Sequence, residues 1–252
     1  MIFQYQIGES FFHRIDPVSK LVWVIVMSIL LLSYERADVQ LGLFGAVGII
    51  GLVGAKLWIR AIWRAIRIPL YIGIPYFILQ LLFVSGETVI WKIGTFEITA
   101  EALDFAIAIS IRFLTLILVS FLFVATTEPR MFVLALSQHL KLPYRFTFAI
   151  LIALRFVPLL EKEAETIRLA QRLRGLREPK GLRNRYIAWK RFVLAVFIQA
   201  VRRAQQTANA MDTKGFGVYT DRTYLNLVPV LASGVYFAIG SGLVMIGLLI
   251  FV

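Results

Sequence analysis

Five stretches of this chain stay apolar for about as long as the hydrocarbon core of a bilayer is thick, and that leaves few folds open. They fall at 17–34, 41–57, 68–84, 101–125 and 227–252. A helix needs about 20 such residues to cross. The runs do not alternate with a period of two, so helices rather than barrel strands are expected. Of the 252 residues 59% are hydrophobic, and the mean hydropathy is +0.78; soluble domains are about 45–50% apolar. The expected fold is an all-α integral membrane protein with about five transmembrane helices.

Charge orients the runs. The net charge is +12, from 27 Lys+Arg against 15 Asp+Glu. Eighteen of the cations lie between Arg130 and Arg222, and four more are Lys56, Arg60, Arg64 and Arg67. By the positive-inside rule both stretches are cytoplasmic, while 85–100, with Lys92 alone, is outside. The N-terminus is then inside and the C-terminus outside. The chain divides into a membrane domain of about four spans (1–125), a cytoplasmic or interfacial domain (126–222) and a last span (223–252). There is no cysteine, so disulfides and thiolate metal sites are excluded. No removed signal peptide is expected.

Local signals fill in this frame. Asp16 is a suitable N-cap and Pro17 a suitable first residue for the first span. Gly42, Gly45, Gly48, Gly51 and Gly54 line one strip of the second, where a neighbouring helix can come close. Residues 56–67 read as a short amphipathic helix in the interface. Pro69, Gly73 and Pro75 predict a separate, irregular third span. Residues 85–100 read as a small hairpin or loop, after which Thr99 caps the fourth span. Arg112 lies deep in that span and requires a partner or a function there.

Residues 146–160 are short for a crossing, hold Arg155 and Pro158, and have basic flanks. They read as an amphipathic helix on the cytoplasmic side that continues to Gly175. A second long helix is predicted over 186–214, roughly 43 Å at 1.5 Å per residue. Both begin apolar, with Phe146, Phe148, Ile150, Leu151 and Leu154 on the first and Phe192, Val193, Val196 and Phe197 on the second. Both end polar. Together they are expected to form a hairpin that presents Gly175 and Gly215.

The two endings repeat a pattern. Leu169-Ala170-Gln171-Arg172-Leu173-Arg174-Gly175 and Ala208-Asn209-Ala210-Met211-Asp212-Thr213-Lys214-Gly215-Phe216-Gly217 each place a cation before a glycine. Glycine closes a helix in the left-handed conformation, and a cation suits the dipole there. Ordinary C-caps look the same, but the repetition in a basic region of a membrane protein favours a docking device. No P-loop, nucleophile elbow or His-Glu-x-x-His occurs, and His13 and His139 have no ligand spacing. No catalytic residue, metal or cofactor is expected.

At these endings the chain resembles the transmembrane T component of energy-coupling factor (ECF) transporters, the CbiQ/EcfT family. The likeness extends to Asp16-Pro17-Val18-Ser19-Lys20-Leu21, to Thr126-Thr127-Glu128-Pro129, and to Ala153-Leu154-Arg155-Phe156-Val157-Pro158-Leu159-Leu160 with Glu161 and Glu163. Leu173-Arg174-Gly175 and Thr213-Lys214-Gly215 stand where the family has paired Ala-Arg-Gly-type motifs. Leu173 replaces an alanine, and Lys214 replaces an arginine, losing the bidentate fork.

The resemblance implies a cytoplasmic domain of long crossed coupling helices between two ATP-binding subunits, or an ATPase homodimer, and a membrane S component. The S component would bind a vitamin or transition-metal ion. It implies ATPase docking through Arg172, Arg174, Gly175, Met211, Asp212, Lys214, Gly215 and Phe216. A coupling surface for the S component would comprise Leu151, Leu154, Arg155, Phe192 and Val196. ATP hydrolysis would reside in the partners.

Two rival readings are weaker. A conventional ABC permease loop reads Glu-Ala-Ala-x-x-x-Gly, whereas here Glu163-Ala164-Glu165 has Leu169 at the glycine position. A basic anchor for nucleic acid or anionic lipid fits poorly, because acidic residues are mixed through the region and exposed aromatics are sparse. No nucleic-acid partner is expected.

Overall fold

A computed structural model describes residues 5–6, 8, 10–84, 86–93, 96–139, 142–174, 181–219 and 232–251. It divides into two compact units, Met1–Ala135 with Val228–Val252, and Leu136–Leu227. The first holds α1 (Phe11–Arg14), α2 (Pro17–Ser33), α3 (Ala37–Ile49), α4 (Ile59–Phe83), the strands β1 (Val89–Ile93) and β2 (Phe96–Thr99), α5 (Ala100–Thr126) and α9 (Ala232–Phe251). Helix α6 (Pro129–His139) spans the boundary, and the second unit holds α7 (Tyr144–Leu173) and α8 (Leu182–Thr213).

Three helical segments are long and apolar enough to cross a membrane: Ala37–Gly54, Ile59–Phe83 and Ala100–Thr126. Pro17–Ser33 and Ser233–Val244 are apolar but shorter, so of the five spans expected three reach full length among the described residues. Among the described residues the fold is helical except for one antiparallel hairpin, in which Ile93 pairs Phe96 and Lys92 pairs Glu97.

The caps form from short polar side chains. Asp16 Oδ2 accepts from the Ser19 N–H at 2.9 Å, with Pro17 opening α2. Thr99 Oγ1 accepts from the Ala102 N–H at 3.3 Å to start α5.

Residues 56–67 do not form a separate interfacial helix. Residues 59–67 are the N-terminal turns of α4, which runs unbroken through Pro69 and Pro75. Its buried stripe, Ile62, Ala65, Pro69 and Gly73, keeps a three-four-four spacing across the point where the polarity changes. That stripe packs on α5, while Arg60, Arg64 and Arg67 are exposed. Packing against a neighbour sets the helix, and a change of polarity along it does not end it.

The glycine strip divides in two. A Cβ on Gly42, Gly45 or Gly48 would meet nothing within 4 Å, so those glycines admit no close neighbour. A Cβ on Gly51 would lie 3.1 Å from Leu122 Cδ2 and 3.3 Å from Ile62 Cδ1. Gly51 belongs to a π-helical turn, Ile50–Gly54, that widens the end of α3 where it meets α4 and α5.

The core of this unit joins Phe12, Trp23, Val47, Ile62, Leu118, Phe121 and Leu122. Phe12 meets Trp23 edge-on at 5.4 Å, and Phe237 of α9 at 5.2 Å. Helix α9 is held close to α2: a Cβ on Gly234 would clash with Asp16 Oδ1. Many large apolar side chains remain outside this core, among them Ile49, Val53, Tyr71, Ile72, Leu79 and Phe83. In a bilayer such a surface faces lipid tails.

A cation is buried within this apolar unit. Lys20 is 1% exposed, and its Nζ donates to the Thr126 carbonyl at 2.8 Å. Thr126 ends α5, where carbonyls lack intrahelical partners. The neighbouring Ala125 carbonyl accepts from the Gln6 N–H at 2.9 Å. Lys20→Met is expected to leave the Thr126 carbonyl unpaired and to lower unfolding free energy by about 1–3 kcal/mol. Thermal unfolding in detergent measures this, with Lys20→Arg retaining part of the stability; an unchanged midpoint in Lys20→Met contradicts the assignment.

Candidate coupling site

Helices α7 and α8 run past one another in antiparallel order, as their contacts establish from one end to the other. Phe148 meets Phe216 just beyond α8, with ring centroids 4.7 Å apart. Ile152 and Phe156 share a groove with Thr207 and Met211. The Glu163 carboxylate pairs with Arg203, and the Arg168 guanidinium lies 4.8 Å from the Phe192 ring centroid. Thr147 is the buried residue of α7, and α8 has none among its 32 residues.

In this antiparallel order the two endings lie at opposite ends of the pair. Two helices joined by a short link reverse direction, so their C-terminal ends point apart. From the level of Phe148, which meets the end of α8, to Arg174 is about 39 Å of helical rise. The apolar first half of each helix therefore lies beside the polar half of the other.

The end of α8 is built as a Schellman turn. Gly215 takes φ +69°, its N–H donates to the Asp212 carbonyl at 3.0 Å, and the Phe216 N–H donates to the Met211 carbonyl at 3.0 Å. A side chain with a Cβ is disfavoured at that φ, which explains the glycine after Lys214. Phe216 then folds back onto Phe148, and Tyr144 meets it at 6.0 Å. At the other end the Arg174 N–H donates to the Ala170 carbonyl at 3.1 Å. Gly175 lies outside the described residues.

The remaining candidate residues distribute over both helices. Arg172, Arg174, Asp212 and Lys214 are exposed, and Met211, Gly215 and Phe216 are half-buried. Leu151, Leu154, Phe192 and Val196 are half-buried. Arg155, grouped by sequence with that apolar surface, instead lines a groove of about 430 Å³ with Lys214, Phe148, Phe156 and Met211. Asp212 lines a second groove of about 200 Å³ with Ile152, Ala204 and Ala208. Sequence reasoning missed Arg203 and its pairing with Glu163. The two stand forty positions apart, and only the antiparallel register brings them together.

Arg112 belongs to a different cluster. Its Nη2 donates to the carbonyl of Tyr34, the residue that ends α2. Gln40 Nε2 donates to the same carbonyl at 2.7 Å and to that of Leu31 at 2.9 Å. Asp104 Oδ1 accepts from the Ala37 N–H at 3.3 Å, at the start of α3. Three side chains thus fasten the turn between α2 and α3, with Arg112 capping a helix C-terminus. Arg112→Met is expected to lower the unfolding midpoint in detergent and to leave the exposed ends of α7 and α8 unaltered. Unchanged stability together with lost transport would contradict the tether.

Comparison with known proteins bears on most of the chain. The family described as "CbiQ: Cobalt transport protein" matches residues 8–225. Three relatives bear the name "Energy-coupling factor transporter transmembrane protein EcfT". That of Exiguobacterium sibiricum is 31% identical over 229 residues, 86% of each chain. That of Leuconostoc gelidum is 31% identical over 235 residues, 88% of this chain and 86% of its own. That of Bacillus subtilis is 30% identical over 239 residues, 90% and 89%. With a basic pair of long helices, apolar segments long enough to cross a bilayer, and a family match over most of its length, the chain belongs to the CbiQ/EcfT family of energy-coupling factor transporter transmembrane proteins.

Proposed function

We propose that this chain carries ATP-driven motion from two cytoplasmic ATP-binding subunits to a membrane S component that holds a vitamin or a transition-metal ion such as cobalt or nickel. The observation that carries the reading is the separation of two capped, cationic helix ends. Arg174 and Lys214 terminate antiparallel helices about 39 Å apart by helical rise. Charges so far apart suit two receptor sites better than one, as a pair of ATPase subunits provides. Arg172, Met211, Asp212 and Phe216 flank these ends. The subunit itself is non-catalytic in this reading, and its sequence contains no P-loop.

The positive-inside distribution supports a cytoplasmic N-terminus, about five spans and an outside C-terminus. Helix α8 supports a partner-covered role, since a 32-residue helix with no buried side chain lacks the apolar packing that ordinarily sustains one. Leu151, Leu154, Phe192 and Val196 offer the S component a surface without polar locks, which permits exchange.

Arg174→Glu and Lys214→Glu, each alone, are expected to weaken ATPase retention about tenfold or more, because each leaves a repelling charge in place of an attracting one. The double variant is expected to abolish retention while membrane insertion persists. Pull-down from detergent extracts reads both, and full retention by the double variant defeats the reading. Leu151→Ser with Val196→Ser is expected to reduce S-component capture and leave ATPase retention intact; intact S-component binding would place that surface elsewhere.

A further inference from the structure

We infer that Arg155, on α7, completes the ATPase dock at the end of α8 by supplying the guanidinium fork that Lys214 lacks, and that the dock receives a carboxylate flanked by an apolar residue on an ATP-binding subunit. The inference rests on the docking reading above. Arg155 stands nineteen residues before Arg174 in the sequence and belongs to the other helix from Lys214, yet both line the same groove of about 430 Å³. The antiparallel register brings them together, because the first half of α7 runs beside the last turns of α8.

The groove is selective in charge. Three cations line it, Arg155, Arg203 and Lys214, and no carboxylate does. Arg203 is already committed to Glu163. Among the described residues, neither Arg155 nor the Lys214 ammonium has an ion pair or side-chain hydrogen bond. Two cations without partners face a space whose remaining walls include Phe148, Phe156 and Met211. An acidic side chain would satisfy the charges, and an apolar neighbour would cover the rings. A planar guanidinium binds both carboxylate oxygens at once, which a lysine ammonium cannot do. Arg155 therefore restores from α7 what the lysine at position 214 omits from α8.

The test uses the full chain, co-expressed with its S component and ATP-binding subunits and captured through a tag on this chain. ATPase retention is measured over a salt series. Arg155→Gln is expected to lose about tenfold or more in retention, as Lys214→Gln does. The decisive variant adds Lys214→Arg to Arg155→Gln. An arginine at 214 supplies the fork directly, so retention is expected to return towards the unsubstituted level.

Loss without rescue would mean that Arg155 acts through folding, and would overturn the inference. Unchanged retention in Arg155→Gln would overturn it as well. Loss of co-purifying phosphatidylglycerol with ATPase retention unchanged would identify the groove as a lipid site and overturn it too. Failure of the unsubstituted chain to retain ATPase subunits would instead defeat the docking reading itself.

Discussion

A helix-end carbonyl buried inside the protein has no water to accept from, and the first unit is arranged around that constraint. Helices α2 and α5 run antiparallel, and each closes the other. Lys20, near the start of α2, donates to Thr126 at the end of α5. Arg112, on α5, donates to Tyr34 at the end of α2. Each cation stands at a helix C-terminus, the end whose partial charge is negative. The exchange is reciprocal, so one contact fixes the relative height of the two helices and the other fixes their spacing at the far end. Gln40 also donates to the Leu31 carbonyl, and the Gln6 N–H to that of Ala125, at the same two ends. An apolar side chain at position 20 would leave the Thr126 carbonyl unpaired, whereas one at position 112 would leave Tyr34 to Gln40 alone.

Packing follows from this clamp. Helix α5 presents Ala102, Ala106, Ala108 and Ala125 as buried small residues, so its neighbours approach closely. Helix α4 answers with Ala65, and the end of α3 with Gly51. The π-helical turn that contains Gly51 also carries Gly54 against Phe12, where a Cβ would lie 3.3 Å from the ring. Phe12 in turn links Trp23 and Phe237, tying α9 to α2. Aromatic contacts and small residues, rather than water-driven burial, hold these helices together, because the lipid outside is as apolar as the core.

Much of this was legible in the sequence, for identifiable reasons. Asp16 and Thr99 were readable as caps because capping depends on residues within three positions. The lengths of α7 and α8 followed from polarity patterns carried across Pro158 and from the glycines after them. What depends on a distant partner was not readable. The partner of Arg112 is a backbone carbonyl, which has no signature in the sequence. The open face at Gly42, Gly45 and Gly48 and the covered one at Gly51 share the same spacing, and only the neighbouring helices distinguish them. The continuity of α4 was hidden because a gain in charge looks like a boundary, although its buried stripe keeps its spacing throughout.

The register of α7 and α8 has the largest consequence for function. Under the docking reading, a parallel pair would turn both cationic ends toward one subunit. Antiparallel order separates them and places the Glu163–Arg203 pair between the outer contacts at Phe148–Phe216 and Arg168–Phe192. That pair is half-buried, and an ion pair shielded from water resists separation more than an exposed one. Under the docking reading, two subunits that approach each other would displace opposite ends of a crossed pair fastened near its middle. Rigid helices fastened that way respond by turning about the fastening, since sliding would break the ion pair and both aromatic contacts together. A turn moves the apolar first halves of both helices at once, and those halves carry the surface at Leu151, Leu154, Phe192 and Val196.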